Sequence, residues 1–305
     1  MDRLEAMRVF VAVADAGGFA PAARQLNLSP PAVTRSIAAL EQHLGVRLLH
    51  RTTRLVRVTE AGARYLDDCR RILAEVEEAE ASVGGAHAEP QGVLGVTAPA
   101  MFGPMYVAPL LLDFLAQHPR VRVRSVFVDR VVNLIDEGLD VAVRIARLPD
   151  SSLTAVRVGA VRRVVVASPA YLAARGTPRT PADLAEHDAI GFTPAGGAPA
   201  PWVFRADERA PPQTVQPRVR LEVNGSEVGI QAALAGFGLT RALSYQVAPH
   251  VQAGTLRIVL AEYELRPIPI HLVYPEGRRA AAKVRAFVAF AAERLRQDPR
   301  LALPS

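Results

Sequence analysis

Cysteine is almost absent from the 305-residue sequence, in which Cys69 is the only one. A single thiol excludes an intrachain disulfide framework and a cysteine-rich zinc site. Long apolar runs are missing as well, since no stretch approaches the ~20 residues of a membrane-spanning helix. The first five residues also lack the pattern of a signal peptide. These absences predict a cytoplasmic protein that makes no contact with a membrane.

The motifs of common enzymes and cofactor sites are missing too. The seven histidines are scattered, and no two stand at metal-ligand spacing on one predicted helix. There is no G-x-S-x-G nucleophile elbow and no phosphate-binding G-x-x-x-x-G-K loop. Gly236-Phe237-Gly238 lacks the third glycine of a dinucleotide fingerprint. We therefore expect no catalytic residue, no metal site, no cofactor and no enzymatic activity.

Arginine is what the sequence has in excess. All of its 36 basic residues except Lys283 are Arg, and the net charge is +6. Residues 1–64 hold nine Arg and five acids, whereas residues 65–85 hold two Arg and six acids. Positive charge is thus concentrated at the start of the chain and absent from the segment that follows. Such a separation is typical of a nucleic-acid-binding module joined to something else.

A short helix, a tight turn and a second helix are predicted within the basic region. Residues 19–26 form the first helix, and Asn27-Leu28-Ser29 interrupts it with side chains that favour turns and caps. Ser29 is the expected N-cap of the second helix. Pro30 then takes the first helical position, where a missing N–H costs nothing.

The second helix has one apolar and one polar face. Val33, Ile37, Leu40 and Leu44 recur at spacings of four, three and four, which predicts a face that packs on the preceding helices. The opposite face holds small and polar residues that permit close approach to base edges. Arg35 on that face is long enough to donate hydrogen bonds into the major groove.

An arginine-rich hairpin, or wing, is predicted next. Arg47, Arg51, Arg54 and Arg57 fall within eleven residues and surround Thr53, which supplies a further phosphate donor. A lone basic run is as often a solvated face, but here helix, turn, capped helix and wing follow in register and favour DNA. The predicted DNA-binding residues are Ser29, Pro30, Pro31, Ala32, Thr34, Arg35, Arg51, Thr53, Arg54 and Arg57.

A long helix with an apolar seam is predicted after the wing. Residues 59–84 contain no proline, and apolar residues recur at alternating spacings of four and three. A second copy of the helix is the simplest partner for this seam, and packing on the chain's own body is the alternative. Cys69 fits a small core residue better than a redox sensor. The predicted dimerisation residues are Tyr65, Cys69, Ile72, Val76 and Ala79.

Alternating strands and helices follow a short hinge at residues 84–92. Strands are predicted at 93–97, 121–128, 141–145 and 161–167, with helices at 104–117 and 131–137. The chain enters a second lobe near 168–172, with weaker elements at 189–193, 202–205, 218–223, 226–235 and 239–242. It returns through a strand at 268–274 and a helix at 280–297. This alternation predicts a mainly parallel sheet covered by helices.

Several of these segments share a family pattern. Residues 4–19, residues 40–51 and Thr59-Glu60-Ala61-Gly62 resemble the winged helix-turn-helix of LysR-type transcriptional regulators. Residues 140–145, 148–153, 168–172 and 283–287 resemble the two-lobed effector domain of the same family, which is similar to periplasmic binding proteins. Family members often carry Gln in place of Pro30 and Ser in place of Thr34. Thr34 and Arg35 are therefore the main candidates for reading bases.

The resemblance implies a fold that is α/β overall. An all-α winged helix-turn-helix at residues 1–60 would precede a dimerisation linker helix at 61–86 and a bilobal α/β, periplasmic-binding-protein-like (type 2) domain at 92–305. Lobe 1 would hold residues 92–166 and 268–305, and lobe 2 residues 167–267. The implied function is sequence-specific regulation of transcription in response to a small-molecule effector. The implied partners are double-stranded operator DNA with an inverted repeat, RNA polymerase, and further copies in a homodimer or homotetramer.

The effector site is expected between the lobes, at the carboxyl ends of the strands. Family members often carry Ser or Thr in place of Pro99 and Met101, so a more apolar or aromatic effector is predicted, oriented by Arg144 or Asn224. As an alternative, the aromatic residues are lobe core and Arg144 forms a structural ion pair. The predicted site is Thr97, Pro99, Ala100, Met101, Phe102, Val128, Asp129, Arg144, Phe192, Trp202, Asn224 and Ser226.

Two other functions fit parts of the sequence. A bilobal enzyme fused to a DNA-binding module would turn over its ligand. A ligand-independent DNA-binding protein would bind DNA identically across an effector screen.

Overall fold

The structure is a computed structural model of the full chain, and it describes residues 2–51, 56–83, 89–149, 151–193, 201–206, 209–276 and 281–302. The chain divides into two compact units, Met1–Ala88 and Glu89–Ser305. Thr53 and Arg54 of the predicted DNA-binding set lie outside the described residues, as do the side chains of Arg51 and Ala79.

The first unit is a helical domain with a hairpin. Its elements are α1 (Arg3–Asp15), α2 (Phe19–Gln25), α3 (Pro30–Leu44), β1 (Leu49–Arg51), β2 (Val56–Val58) and α4 (Glu60–Val83). Phe10, Ala23 and Ile37 are fully buried in its core. Asn27 has a φ of 55°, a left-handed conformation that Asn tolerates better than most residues, and it turns the chain between α2 and α3.

The junction of hairpin and long helix depends on two residues. The Thr59 hydroxyl donates to the Arg47 carbonyl at 2.8 Å and accepts the Gly62 N–H at 2.9 Å, which ties the first turn of α4 to the chain before β1. A Cβ on Gly62 would overlap the Leu48 carbonyl oxygen. Close backbone approach therefore explains the glycine of the Thr-Glu-Ala-Gly segment.

Lobe 1 of the second unit is built on a five-stranded sheet in the order β4–β3–β5–β14–β6. The strands are β3 (Gly92–Ala98), β4 (Val121–Phe127), β5 (Val141–Ile145), β6 (Leu153–Val161) and β14 (Ile268–Pro275). A π-helical turn (Gly103–Val107) continues into α5 (Ala108–Gln117), and α9 (Ala282–Gln297) closes the lobe. Phe114 of α5 and Phe287 of α9 meet edge to face at 5.3 Å within the core.

Lobe 2 contains a second five-stranded sheet, in the order β11–β8–β12–β7–β13. Its strands are β7 (Arg163–Ala167), β8 (Asp188–Phe192), β11 (Arg218–Val223), β12 (Leu239–Leu243) and β13 (Arg257–Val259), and β9 (Trp202–Phe204) pairs separately with β10 (Gln213–Val215). The helices are α6 (Pro169–Arg175), α7 (Ser226–Leu234) and α8 (Ser244–Gln252), with 3-10 turns at Pro181–Glu186 and Ala261–Tyr263.

Two sequence predictions for this unit are wrong, and one strand was missed. The sheets are mixed rather than mainly parallel, because β14 runs antiparallel to both β5 and β6, and β7 antiparallel to β12 and β13. The helix predicted at 131–137 is absent, since the Asn133 side chain accepts the Ile135 N–H at 3.1 Å and holds a turn. The strand β6 was not predicted at all.

The passage between lobes also differs in position from the prediction. Strand β6 ends at Val161 in the sheet of lobe 1, and β7 begins at Arg163 in the sheet of lobe 2. The chain therefore crosses at Arg162, four residues before the predicted end of lobe 1, and Ser168 only caps α6 inside lobe 2. Among the described helices, none combines the length and the apolar character that crossing a membrane requires.

Candidate functional site: a DNA-binding surface and an interlobe cleft

The start of α3 has the predicted cap. Ser29 has extended backbone angles, and its hydroxyl accepts the Ala32 N–H at 3.3 Å. Pro30 occupies the first helical position, as predicted. The capping bond uses one lone pair of the Ser29 hydroxyl, while Pro30 and Pro31 remain exposed beside it.

The two faces of α3 separate as the spacing predicts, with one exception. Val33, Ile37 and Leu40 are buried against the preceding helices. Thr34 and Arg35 are exposed, and the Thr34 hydroxyl donates to the Pro30 carbonyl at 3.0 Å, which leaves its lone pairs free to accept. Leu44 is wrong as a buried residue, because it is 38% exposed where α3 ends at a left-handed glycine.

A buried carboxylate joins α3 to the wing. Glu41 is only 9% exposed, and its Oε1 accepts the N–H groups of Leu48 and Leu49 at 2.9 and 3.1 Å. These bonds fix the start of β1 relative to the helix, with Arg57 of β2 exposed on the same hairpin. This role was not predicted from the sequence. The available indication was the spacing of Glu41, which stands four residues after buried Ile37 and therefore on the same face of α3.

The first half of the predicted dimer seam faces its own domain. Cys69 is fully buried in the core of the first unit, and half-buried Tyr65 lies 5.8 Å from the Phe10 ring. Burial raises the pKa of Cys69 to about 11 and that of Tyr65 to about 12, so both are neutral at physiological pH. The full burial of Cys69 contradicts the dimerisation role predicted for it, while Tyr65, Ile72 and Val76 are half-buried and the role predicted for them stays a prediction.

A cleft of about 450 Å³ lies between the lobes of the second unit. Lobe 1 contributes the loops after β3 and β4 and the end of β5, and lobe 2 contributes β7, β8, β9, β12 and the start of α8. The cleft is lined by Pro99, Val128, Asp129, Arg130, Val131, Arg144, Ile145, Ala146, Arg163, Ile190, Phe192, Trp202, Ser226, Arg241, Ala242, Leu243, Tyr245 and Gln246.

The charged groups on the lobe 1 side have internal partners. Arg144 donates to the Val132 carbonyl at 2.5 Å, and burial lowers its pKa. Arg130 forms a two-bond pair with Glu137 at 2.6 and 2.9 Å. The ion pair proposed as the alternative role of Arg144 is thus replaced by a bond to a backbone carbonyl.

Two arginines on the lobe 2 side are arranged differently. The Arg241 guanidinium donates to the Pro201 carbonyl at 3.1 Å and stands 5.9 Å from the centroid of the Trp202 ring. Burial, with a smaller contribution from the nearby charge of Arg163, lowers the pKa of Arg241 to about 10. Burial lowers the pKa of Arg163 as well. Both side chains remain cationic at neutral pH.

Tyr245 and Gln246 of the cleft lining belong to an aromatic and amide cluster. Tyr245 is 1% exposed and packs edge-on against Phe102 and Tyr106, whose rings stack 4.6 Å apart. Gln246 accepts the Leu243 N–H at 2.8 Å and donates to the Tyr245 hydroxyl at 3.5 Å. Burial raises the pKa of Tyr245, so its hydroxyl stays protonated.

Comparison with known families assigns both units. A profile of bacterial regulatory helix-turn-helix proteins of the lysR family matches residues 4–63, and a profile of the LysR substrate binding domain matches residues 87–296. The chain belongs to the LysR family. It is therefore a LysR-type, effector-responsive, DNA-binding transcriptional regulator, and the predicted family, fold class and general function are confirmed.

Relatives of LysR type match over nearly their whole length. An HTH-type transcriptional repressor from Pseudomonas aeruginosa is 35% identical over 303 residues, which are 99% of this chain and 95% of that protein. CrgA from Neisseria meningitidis serogroup B is 35% identical over 95% of this chain and 96% of its own length. A solved CrgA structure matches with a TM-score of 0.61 at 34% identity, covering 95% of this chain and 98% of that one. AphB from Vibrio cholerae, at 24% identity and a TM-score of 0.60, supports the fold alone.

The cleft of this LysR-type regulator brings together part of the predicted effector set. The predicted residues that line it are Pro99, Val128, Asp129, Arg144, Phe192, Trp202 and Ser226. Tyr245 and the two arginines of lobe 2 that line the cleft, Arg163 and Arg241, were missed. Arg163 was detectable as the second of two arginines before an apolar run, whereas nothing in the sequence singles out Arg241.

Five predicted effector residues do not line the cleft. Thr97 is 1% exposed within β3, and Phe102 is fully buried because it stacks inside the core of lobe 1. Met101 packs against the cores of both lobes. The Ala100 N–H donates to Asp129 at 2.9 Å, and Asn224 is exposed, but neither Ala100 nor Asn224 is among the lining residues. The predicted contacts from Met101 and Phe102 are therefore wrong.

Proposed function

We propose that this LysR-type regulator binds an inverted-repeat operator by inserting the N-terminal half of α3 into the major groove. Thr34 and Arg35 would read base edges, while Arg51, Arg54 and Arg57 of the wing would contact phosphates. The observation that carries this assignment is the Glu41 carboxylate. Its two bonds to the start of β1 hold helix and wing as one body, as simultaneous groove and phosphate contacts require.

A symmetric assembly supplies the second half-site. We propose that Ile72, Val76 and Ala79, in the second half of α4, pair with the same residues of another copy. Support for this comes from the division of α4, in whose first half Leu66 and Cys69 already pack into the core of their own domain. The assembly is a homodimer or a homotetramer, and it would act on RNA polymerase in the cytoplasm.

The interlobe cleft is the proposed effector site, and no turnover of the effector is expected. Its volume of about 450 Å³ falls in the range of small-molecule sites. Trp202, Phe192 and Ile190 give it an apolar wall of the kind predicted for an aromatic effector. Binding would change how the lobes meet, and hence how the subunits present their DNA-binding domains.

Fluorescence anisotropy with the DNA upstream of the gene tests the DNA-binding role. We expect Arg35→Ala to weaken operator binding by about 1 to 3 kcal/mol while leaving random duplex unaffected, because a base contact is lost. Arg57→Ala should weaken binding to both duplexes and make it less sensitive to salt.

Arg257→Ala, which changes an exposed arginine of β13, is the matched control and should bind like the wild type. The same loss on operator and random duplex for Arg35→Ala would remove Arg35 from base readout. Equal affinity of the wild type for both duplexes would overturn the proposed function itself.

A further inference from the structure

Two arginines of lobe 2 stand side by side in the cleft. Arg163 begins β7, and Arg241 lies in the neighbouring antiparallel strand β12. Arg241 is paired with Val165 in the strand ladder, and Arg163 is two residues before Val165, so both side chains leave the same face of the sheet. Both line the cleft. The sheet therefore places two cations within reach of a single ligand group.

Neither arginine has a carboxylate partner. In the described part of the chain, no Asp or Glu lies within ion-pair distance of Arg163 or Arg241. Glu264 borders both residues in an adjoining recess, but its two oxygens accept from Arg162 at 3.2 and 3.3 Å. The acids on the lobe 1 side are bound to a backbone N–H and to an arginine of that lobe. The pair thus keeps an uncompensated positive charge.

Holding two like charges together, one of them half-buried, is unfavourable unless an anion joins them. The pKa of Arg241 is lowered first by burial and then by the charge of Arg163, which agrees with this repulsion. A pair of like charges without an anionic partner is characteristic of ligand sites, where a bound group completes the arrangement.

The surroundings indicate what the rest of the ligand resembles. Trp202 is 3% exposed within the core of lobe 2, and Arg241 lies over its ring, so the indole borders the cleft directly beside the cations. Ile145, Ile190 and Phe192 are further apolar residues of the cleft lining. A planar apolar group would pack against these residues while an acid group on it reached the arginines.

We propose that Arg163 and Arg241 bind the acid group of the effector, which is a small organic anion with a planar apolar body. This inference rests on the proposed role of the cleft as the effector site. It assigns the apolar contacts to Trp202, Ile190 and Phe192, and it places the charge recognition on lobe 2. An acid bound there would draw lobe 1 across it, because Arg144 stands on the opposite wall.

Trp202 is the only tryptophan in the chain, so its fluorescence reports directly on this wall. The full-length protein would be titrated with benzoate, the simplest planar carboxylate, with phenyl phosphate, and with benzamide, the neutral isostere of benzoate. We expect saturable changes with at least one acid at roughly millimolar concentration, and binding of benzamide weaker by about tenfold or more. The preferred acid distinguishes a carboxylate effector from a phosphate ester.

Variants test whether the change in Trp202 fluorescence depends on Arg163 and Arg241. Arg163→Gln and Arg241→Gln should each weaken binding of the preferred acid by about tenfold or more, and Arg241→Lys should restore part of it, since a charge returns without the guanidinium fork. Arg257→Gln, on the exposed edge strand of the same sheet, should bind like the wild type. Calorimetry measures the same affinities without using Trp202 fluorescence.

Three results would overturn the proposal: no saturable response to either acid, equal affinity for benzoate and benzamide, or wild-type affinity in both glutamine variants. Operator binding would be measured on the same protein preparations. Intact operator binding would show that only the anion proposal has failed and that the proposed function still stands. Saturable binding of benzamide with intact operator recognition, for instance, would keep the cleft as a ligand site and reject only its preference for anions.

Discussion

The two units of the chain match their charges in different ways. In the first unit, Glu41 is buried and its Oε1 accepts two backbone N–H groups, so its charge is matched within the fold. In the second unit, Arg163 is exposed and Arg241 is half-buried at the cleft, and neither forms an ion pair with a carboxylate among the described residues. A buried charge with partners inside the fold positions neighbouring elements, whereas a charge pair without an anionic partner is characteristic of a ligand site.

This contrast separates structural from functional charges better than burial does. Lobe 2 itself supplies an example, since Asp188 is 3% exposed yet accepts hydrogen bonds from Arg175, Arg218 and Arg220. By the same criterion Asp188 is structural, although three arginines converge on it. Cys69 and Trp202, each the only residue of its type, allow the two units to be probed separately.

The largest expected effect is on the stability of the first unit when Glu41 is substituted. Glu41→Ala would leave two buried N–H groups without an acceptor, and we expect a loss of about 3 kcal/mol of stability in this unit. Cys69 is fully buried there, so the rate at which its thiol reacts under native conditions reports the opening of the unit. The labelling rate should rise by on the order of a hundredfold.

Gln42→Ala, at the exposed neighbouring position, is the control and should label like the wild type. Glu41→Gln keeps an oxygen for the two donors and should fall between wild type and Glu41→Ala. If Glu41→Ala labelled at the wild-type rate, the carboxylate would not be what holds helix and wing together.

The DNA-binding surface was largely predictable because its determinants are local. The cap at Ser29, Pro30 at the first helical position and the spacing of Val33, Ile37 and Leu40 all act within one turn or two of the same helix. What the sequence did not show was non-local: Glu41 bonding to the wing and Cys69 packing on the chain's own core. A heptad-like stripe has the same pattern whichever partner covers it.

The cleft was predictable in position but not in composition. The rule that ligands lie at strand ends placed Pro99, Asp129 and Arg144 correctly along its lobe 1 wall. The lobe 2 wall depends on which strands become neighbours, and β7 and β12 are separated by some seventy residues in the chain. Because β6 was missed and the sheets were taken as parallel, the pairing that joins Arg163 to Arg241 could not be foreseen.

The second effect, smaller than the first, is a pH dependence of the stability of lobe 2. Hydrogen bonds from Arg218 foremost, then from Arg220 and Arg175, lower the pKa of Asp188 from 3.8 to about 2. A lowered folded-state pKa gives stability that is complete above about pH 4 and is lost as the pH falls toward 2. Because the three arginines are half exposed or more, we expect only about 1 kcal/mol after screening.

Urea unfolding followed by Trp202 fluorescence at pH 5 and pH 3 measures this contribution. Asp188→Asn cannot lose a proton in this range, so the stability difference between wild type and variant should shrink at the lower pH. A difference that stays constant between the two pH values would show that Asp188 keeps an ordinary pKa and that its arginines are not matched to it.

The smallest effect tests the unmatched charge directly, and its sign matters more than its size. If Arg163 is present to bind a ligand, Arg163→Gln removes its repulsion against Arg241. The substitution should then raise the stability of ligand-free lobe 2 by about 0.5 kcal/mol, because residues kept for function often lower the stability of the fold. Trp202 fluorescence in urea measures the change, with Arg257→Gln as a control that should leave stability unaltered. In saturating benzoate the order should reverse, since only the wild type gains binding energy there. A variant that was less stable than the wild type without ligand would instead place Arg163 among the structural charges, beside Glu41 and Asp188.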